Sequence, residues 1–140
     1  MNFIFLTNQF YEDYSHCTEI EMKQQRPYVQ VFITLHDIDF AIPMRSNIKH
    51  NYAFWTDKPN RCGLDYSKAI VIEDRKYIDA TNKPYIRPNE FKALIGREYS
   101  VKQGLLNYIQ AYKKAKLKPD NPRKRDMLEY SALQYFEGYI

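Results

Sequence analysis

Arg45, Ser46, Lys49 and His50 fall within six residues, directly after the apolar run Phe40-Ala41-Ile42-Pro43-Met44. A guanidinium, a hydroxyl, an ammonium and an imidazole this close together are the side-chain types that metal-free proton transfer and phosphate stabilisation need. Cleavage of an RNA strand by its own 2′-hydroxyl is one such reaction. It takes no protein nucleophile, but it needs a base near that hydroxyl, an acid near the leaving 5′-oxygen and donors around the phosphorane charge. Each residue also has an ordinary use. Ser46 suits a turn cap, Arg45 and Lys49 suit solvated charge, and a loop histidine such as His50, like His16 and His36, is commonly polar surface.

Several reaction classes lack their signatures. The chain has only four glycines and no Gly-rich phosphate loop, no paired Cys-x-x-Cys, no His-Glu-x-x-His and no Gly-x-Ser-x-Gly. Zinc chemistry, nucleotide hydrolysis and acyl transfer are thereby disfavoured, and neither metal nor cofactor is expected. The net charge of +4 is mild for a polyanion ligand, but its distribution is uneven. Lys113, Lys114, Lys116, Lys118, Arg123, Lys124 and Arg125 are opposed only by Asp120, with Tyr108, Tyr112 and Tyr130 nearby as stacking faces for RNA. Lysines in the last turn of a helix complement its dipole without any ligand. Arg123 to Arg125 at a helix start oppose it and so favour a bound anion.

The elements that position these residues follow from periodicity. Asn2–Thr7 reads as a first strand and not as a signal peptide, because it lacks a basic flank and turns polar at Asn8. Asn8–Tyr14 reads as a turn or short helix displaying Phe10, Tyr11 and Tyr14, and Ser15–Gln25 as a mobile polar connection. Apolar residues at 29, 31, 33 and 35 predict a half-buried strand over Tyr28–Leu35. A hairpin turn over His36-Asp37-Ile38-Asp39 leads into Phe40–Met44, which Pro43 should end or confine to an edge. Asn47–Gly63 is turn-rich with Tyr52, Phe54 and Trp55 interleaved. Leu64–Ile72 ends in a buried strand, and Lys76-Tyr77-Ile78 reads as a short strand pairing back.

The second half is helical. Pro88 and Gly96 bracket a short helix, and Ser100 is positioned to cap a second whose stripe is Val101, Leu105, Ile109 and Tyr112. Pro119 and Pro122 stop it, and a third from about Arg123 carries Leu128, Ala132, Tyr135, Phe136 and Tyr139. The aromatics are core by default, except Tyr11 and Tyr28, whose places at element ends leave a ring free to stack on a base or donate a phenolic hydrogen bond. The sum is one α+β domain over residues 1–140, a curved antiparallel sheet followed by C-terminal helices. Cys17 and Cys62 read as reduced thiols of a cytoplasmic protein, and no run is long enough to span a membrane.

The chain resembles the toxins of type III toxin-antitoxin systems, the ToxN-like endoribonucleases, and most closely their TenpN-like branch. The resemblance lies in Phe3-Ile4-Phe5-Leu6-Thr7 with Phe10-Tyr11, in Arg26-Pro27-Tyr28-Val29, in Phe40 to His50, and in Cys62-Gly63-Leu64-Asp65-Tyr66-Ser67-Lys68-Ala69-Ile70-Val71-Ile72. It covers most of the first seventy residues, and the helical half matches in layout alone. It implies a bacterial RNase with a sheet core related to Kid and MazF. Such enzymes cut cellular or phage RNA without a metal, leaving a 2′,3′-cyclic phosphate and a 5′-hydroxyl. It further implies neutralisation by a small structured repeat RNA that the toxin itself processes, in a protein-RNA assembly serving phage defence by abortive infection.

Residue by residue, the resemblance makes Ser46 the serine after the strand. Lys49 stands for the lysine that follows it, one position further along than in the family. Tyr11 or Phe10 falls at the place of the N-terminal site tyrosine, the hydroxyl favouring Tyr11, and Tyr28 stands where relatives carry a further lysine, with Arg26 able to supply the charge instead. Arg45 replaces a threonine and can itself bind the scissile phosphate, while His50 has no assigned step. Two other readings use the same residues: a non-catalytic RNA-binding module, and an interaction domain whose exposed tyrosines form an interface.

Overall fold

The computed structural model describes residues 1–21 and 28–140. Arg26 therefore lies outside the described residues. The chain forms an α+β arrangement with an antiparallel sheet built mostly in the first half and helices in the second. Strands β1 (Asn2–Ile4), β2 (Gln30–Leu35) and β3 (Ile38–Arg45) lie side by side, with Asn2 opposite Phe32 and Val31 opposite Ile42. His36 and Asp37 both have positive φ, 51° and 63°, which is the backbone a two-residue hairpin turn needs to match strand twist. The turn lies inside the stretch 36–39 expected from sequence but is shorter, since Ile38 and Asp39 already pair in β3.

Strand β3 does not stop at Pro43. It runs on to Arg45, and it changes partner on its far side: Phe40 and Ala41 pair with β6 (Ile70–Val71), whereas Met44 and Arg45 pair with β5 (Cys62–Asp65). The Met44 N–H donates to the Val29 carbonyl at 2.8 Å, so alternation turns the Pro43 nitrogen to the opposite side. There it faces the gap between β6 and β5, where no donor is required. A central proline is tolerated because the ladder is interrupted at that point.

The stretch 53–57, read from sequence as part of a turn-rich segment, is strand β4 (Ala53–Asp57), hairpin partner of β5. Between β5 and β6 the chain makes a 3-10 turn, Tyr66–Lys68, capped by the Asp65 side chain. Residues 75–77 form another 3-10 turn instead of a strand, leaving one bridge from Ile78 to Leu6. Helix α1 (Asn8–Asp13) does not display its aromatics. Phe10 and Tyr11 are buried, and Tyr14 stacks on Phe10 at 4.7 Å. The connection after it is pinned at its start, since Cys17 and Ile20 lie in the core and Glu19 meets Lys68 at 3.2 Å.

Helix α2 (Pro88–Leu94) ends before Gly96 at φ 73°, as the Pro/Gly bracket predicts. Helix α3 (Glu98–Lys116) starts earlier than Ser100, at a boundary with no side-chain cap. A missing cap costs about 1 kcal/mol, whereas each fully buried large aliphatic contributes roughly 1.5–3 kcal/mol. Burial of Val101, Leu105, Tyr108, Ile109 and Tyr112 therefore decides where α3 lies. The last helix, α4 (Pro122–Tyr130), is capped by Asn121, and the chain beyond it forms two short 3-10 turns, Ala132–Tyr135 and Glu137–Tyr139, where a longer helix was expected. Helix α3 packs on β2, β4, the Tyr66–Lys68 turn and α4, so sheet and helices share one core. Cys17 and Cys62 are free thiols, and among the described residues no helix is long and apolar enough to cross a membrane.

Candidate functional site

The loop after β3 carries the chemistry-bearing residues, and Arg61 holds it in shape. The Arg61 Nε donates to the Ile48 carbonyl at 2.8 Å, and its terminal nitrogen donates to the His50 carbonyl at 2.6 Å. The same guanidinium lies 4.6 Å from the centre of the Trp55 ring. The loop is also anchored by the buried Ile48 side chain and turned by Asn47 at φ 56°. Ser46 and Lys49 are consequently presented to solvent on a fixed backbone.

Beneath this loop sits Asp65, with no exposed side-chain surface. Its carboxylate accepts from Arg45 at 2.5 Å, from the Ser67 N–H at 2.9 Å and from the Ser67 hydroxyl at 2.6 Å, and lies 3.1 Å from His50 Nε2. Burial alone raises a carboxyl pKa, but here the contacts with His50, Ser67 and Arg45 outweigh it and hold Asp65 below the usual carboxylate range. Arg45 shows the mirror image. Burial works against its charge, yet Asp65, Glu21 at 3.2 Å and a hydrogen bond with Tyr28 push its pKa up. The guanidinium is thus a permanent cation fixed in place by two carboxylates.

His50 is engaged on both ring nitrogens. Its Nδ1 accepts the Tyr52 N–H at 3.0 Å, which places the ring proton of the neutral form on Nε2, facing Ser67 Oγ at 3.0 Å and Asp65. Serine, histidine and aspartate are therefore in contact, but not in the order of a hydrolase triad. One imidazole nitrogen faces both partners, and Ser67 gives its own proton to Asp65. The arrangement holds a loop; it does not activate a nucleophile.

Two cavities open on either side of this cluster's residues. Arg45 and Ser46 line a groove of about 380 Å³ with Tyr28, Gly63, Tyr85 and Arg87. Glu90 adds one carboxylate to the lining, against which two arginines, a serine hydroxyl and two tyrosines still suit an anionic, ring-bearing ligand such as a nucleotide strand. His50 and Ser67 instead border a smaller pocket of about 280 Å³ shared with Tyr52, Tyr108, Tyr130 and, from α4, both Arg123 and Asp126. The structure thus brings Arg45 and Ser46 together and joins Arg45 to His50 through Asp65. Lys49 stands outside both cavity walls and forms no ion pair among the described residues.

Tyr11 is not the exposed ring expected from its place at an element end. It is 7% exposed, and its hydroxyl has no hydrogen-bond partner among the described residues. Burial and the neighbouring Tyr28 push its pKa up to about 12, so it is a proton donor at ordinary pH. Tyr28 is half-buried at the groove wall. In the basic segment, Lys116 pairs with Glu137, and Lys113, Lys114 and Lys118 are exposed near the end of α3, as dipole complementation alone allows. Arg123, Lys124 and Arg125 in the first turn of α4 form no ion pair among the described residues, and Arg123 alone of them borders the smaller pocket.

Reading the sequence missed Asp65, Ser67, Arg61, Tyr85 and Arg87. For Asp65 a signal existed: an acid inside the apolar stretch Gly63-Leu64-Asp65-Tyr66 is buried only with partners. Among the described residues no group of three or more His, Cys, Asp or Glu side chains is placed to hold a metal ion. Comparison with family models, with curated proteins and with solved structures found no match to this chain.

Proposed function

We propose that the protein is a metal-independent endoribonuclease, a toxin of a type III toxin-antitoxin system. In this reading its sheet is a Kid/MazF-related core, and a small structured repeat RNA, which the enzyme also processes, neutralises it. The observation that carries the reading is the groove in which Arg45, preset by Asp65 and Glu21, stands beside the Ser46 hydroxyl and Arg87. A cation fixed before the ligand arrives need not reorganise when charge develops, which is the condition for stabilising a phosphorane. The 2′-oxygen attacks the adjacent phosphorus, the bond to the 5′-oxygen breaks, and cyclic phosphate and 5′-hydroxyl ends form. Arg45 and Ser46 meet the phosphoryl oxygens. Lys49, His50 and Tyr11 are the candidates for moving the protons, and of these Lys49 is the one that is exposed and has no side-chain hydrogen bond among the described residues.

Cleavage of a mixed-sequence RNA in EDTA, with analysis of the ends produced, tests the proposal. Ser46→Ala, Lys49→Ala and Arg45→Lys should each lose on the order of a hundredfold in rate. Variants that cut as fast as the parent would remove the site. A short tandem repeat and terminator directly upstream of the reading frame is expected, and its absence counts against the type III assignment. A second reading, an RNA-binding module without catalysis, is favoured by the two committed ring nitrogens of His50 and the sealed hydroxyl of Tyr11. RNA left intact on long incubation, with binding that falls steeply with salt, would select it.

A further inference from the structure

We propose that the smaller pocket, between the Tyr66–Lys68 turn and α4, receives one unstacked nucleotide of an RNA strand, its base against Tyr52 and Tyr130 and its phosphate on Arg123. The proposal rests on the ribonuclease reading for the source of the nucleotide, and on the pocket's own chemistry for its class. The interior of the pocket is apolar: Met127 is buried, and Tyr108 has already given its hydroxyl to Ser131 at 2.8 Å, leaving its ring to face the space. Tyr52 meets the Tyr108 ring edge-on at 5.3 Å and the His50 ring at 5.6 Å, so three rings form a continuous wall. Against that wall Tyr52 and Tyr130 remain 40% and 56% exposed. A flat heteroaromatic ring covers such surfaces, because every base offers a π-face.

The charge points the same way. Arg123 lies in the first turn of α4, where the Asn121 side chain already accepts the N–H groups of Arg123 and Lys124. A cation there opposes the helix dipole, and Arg123 has no carboxylate within ion-pair distance among the described residues. Asp126 also lines the pocket but does not pair with Arg123, so an arriving phosphate seats on the Arg123 side, away from that carboxylate, and supplies the missing partner. The volume of about 280 Å³ lies just under the usual range of ligand pockets, roughly 300–1,000 Å³, which is the scale of one nucleotide and not of a longer stretch of strand. Asp65 then lies between two RNA contacts, holding Arg45 on the groove side and His50 and Ser67 on the pocket side.

The test is calorimetric and NMR titration of the full chain with adenosine 5′-monophosphate, adenosine and inorganic phosphate. Saturable binding of the monophosphate is expected. Tyr130→Ala should weaken both the monophosphate and adenosine by about tenfold, and Arg123→Gln should weaken the monophosphate while leaving adenosine unchanged. Both side chains are exposed, so the variants keep the fold. A short 2′-O-methyl RNA, which lacks the attacking hydroxyl, should displace the monophosphate. Monophosphate binding that this RNA leaves untouched would overturn the strand as the source. No saturable binding, or binding indifferent to both substitutions, would overturn the pocket. A parent that cuts RNA but ignores the monophosphate loses only this proposal, and one that binds it competitively but cuts nothing loses only the ribonuclease reading.

Discussion

Replacing Asp65 by Asn keeps the shape of the side chain and removes its charge, at a position where four donors converge on two oxygens. The amide has one accepting oxygen and must turn its NH2 group either toward Arg45 or toward Ser67 and His50, both of which are donors. Breaking a buried ion pair from one side costs about 3–5 kcal/mol. Arg45 keeps 22% of its side-chain surface in water and keeps Glu21 at 3.2 Å, which puts the expected loss at the lower end, about 3 kcal/mol. In urea unfolding, where slopes run at about 1–3 kcal/mol per molar, this lowers the midpoint by about 1 M or more. The pH dependence has a definite sign. Because the folded state holds the Asp65 pKa below its unfolded value, the unfolded chain binds the proton first, and stability rises with pH between the two values. The contribution is complete above the ordinary carboxylate pKa and is lost as pH falls through the folded one. The gap between parent and variant should therefore be full at neutral pH and close on acidification. A variant within about 0.5 kcal/mol of the parent at pH 7, a margin usual for surface substitutions, or a gap that widens in acid, would refute the account of this cluster.

Three further outcomes follow from single contacts. Arg61→Lys keeps the charge but loses the fork that captures the Ile48 and His50 carbonyls, so amide exchange across residues 46–51 should accelerate and, on the proposed ribonuclease reading, cleavage should fall with net charge unchanged. Gly104→Ala gains about 1 kcal/mol of helix propensity. A methyl there runs into the buried Tyr66 ring and hydroxyl, however, so thermal unfolding should show a net loss of about 1–2 kcal/mol, partly recovered by adding Tyr66→Phe. Tyr11→Phe removes a buried hydroxyl with no partner among the described residues, and should leave stability unchanged or raise it by up to about 1 kcal/mol in chemical denaturation. A clear loss would mean that the hydroxyl is bonded.

Local pattern was enough for the α+β order of elements, for a hairpin within residues 36–39, for the Pro88/Gly96 bracket and for the buried stripe of α3. Each depends on spacings of a few residues that any chain displays in its own sequence. The presented turn after β3 was legible too, and Ser46 and Lys49 are exposed there. Tertiary structure decided what local pattern does not encode. Pro43 continues a strand because β6 and β5 leave a gap beside it. Tyr11 is sealed because α1 packs inward. Arg45 at the end of β3 and His50 in the loop after it, five residues apart, open toward different cavities because Asp65, twenty residues beyond Arg45 on β5, rises between them. That contact is set by the register of β3 against β5, with Arg45 opposite Gly63, and register depends on pairing partners distant along the chain. The sequence by itself determined which chemical groups stand at the end of β3 and in the loop after it; the fold determined which of them are held, which line a cavity, and that a buried carboxylate connects the two sides.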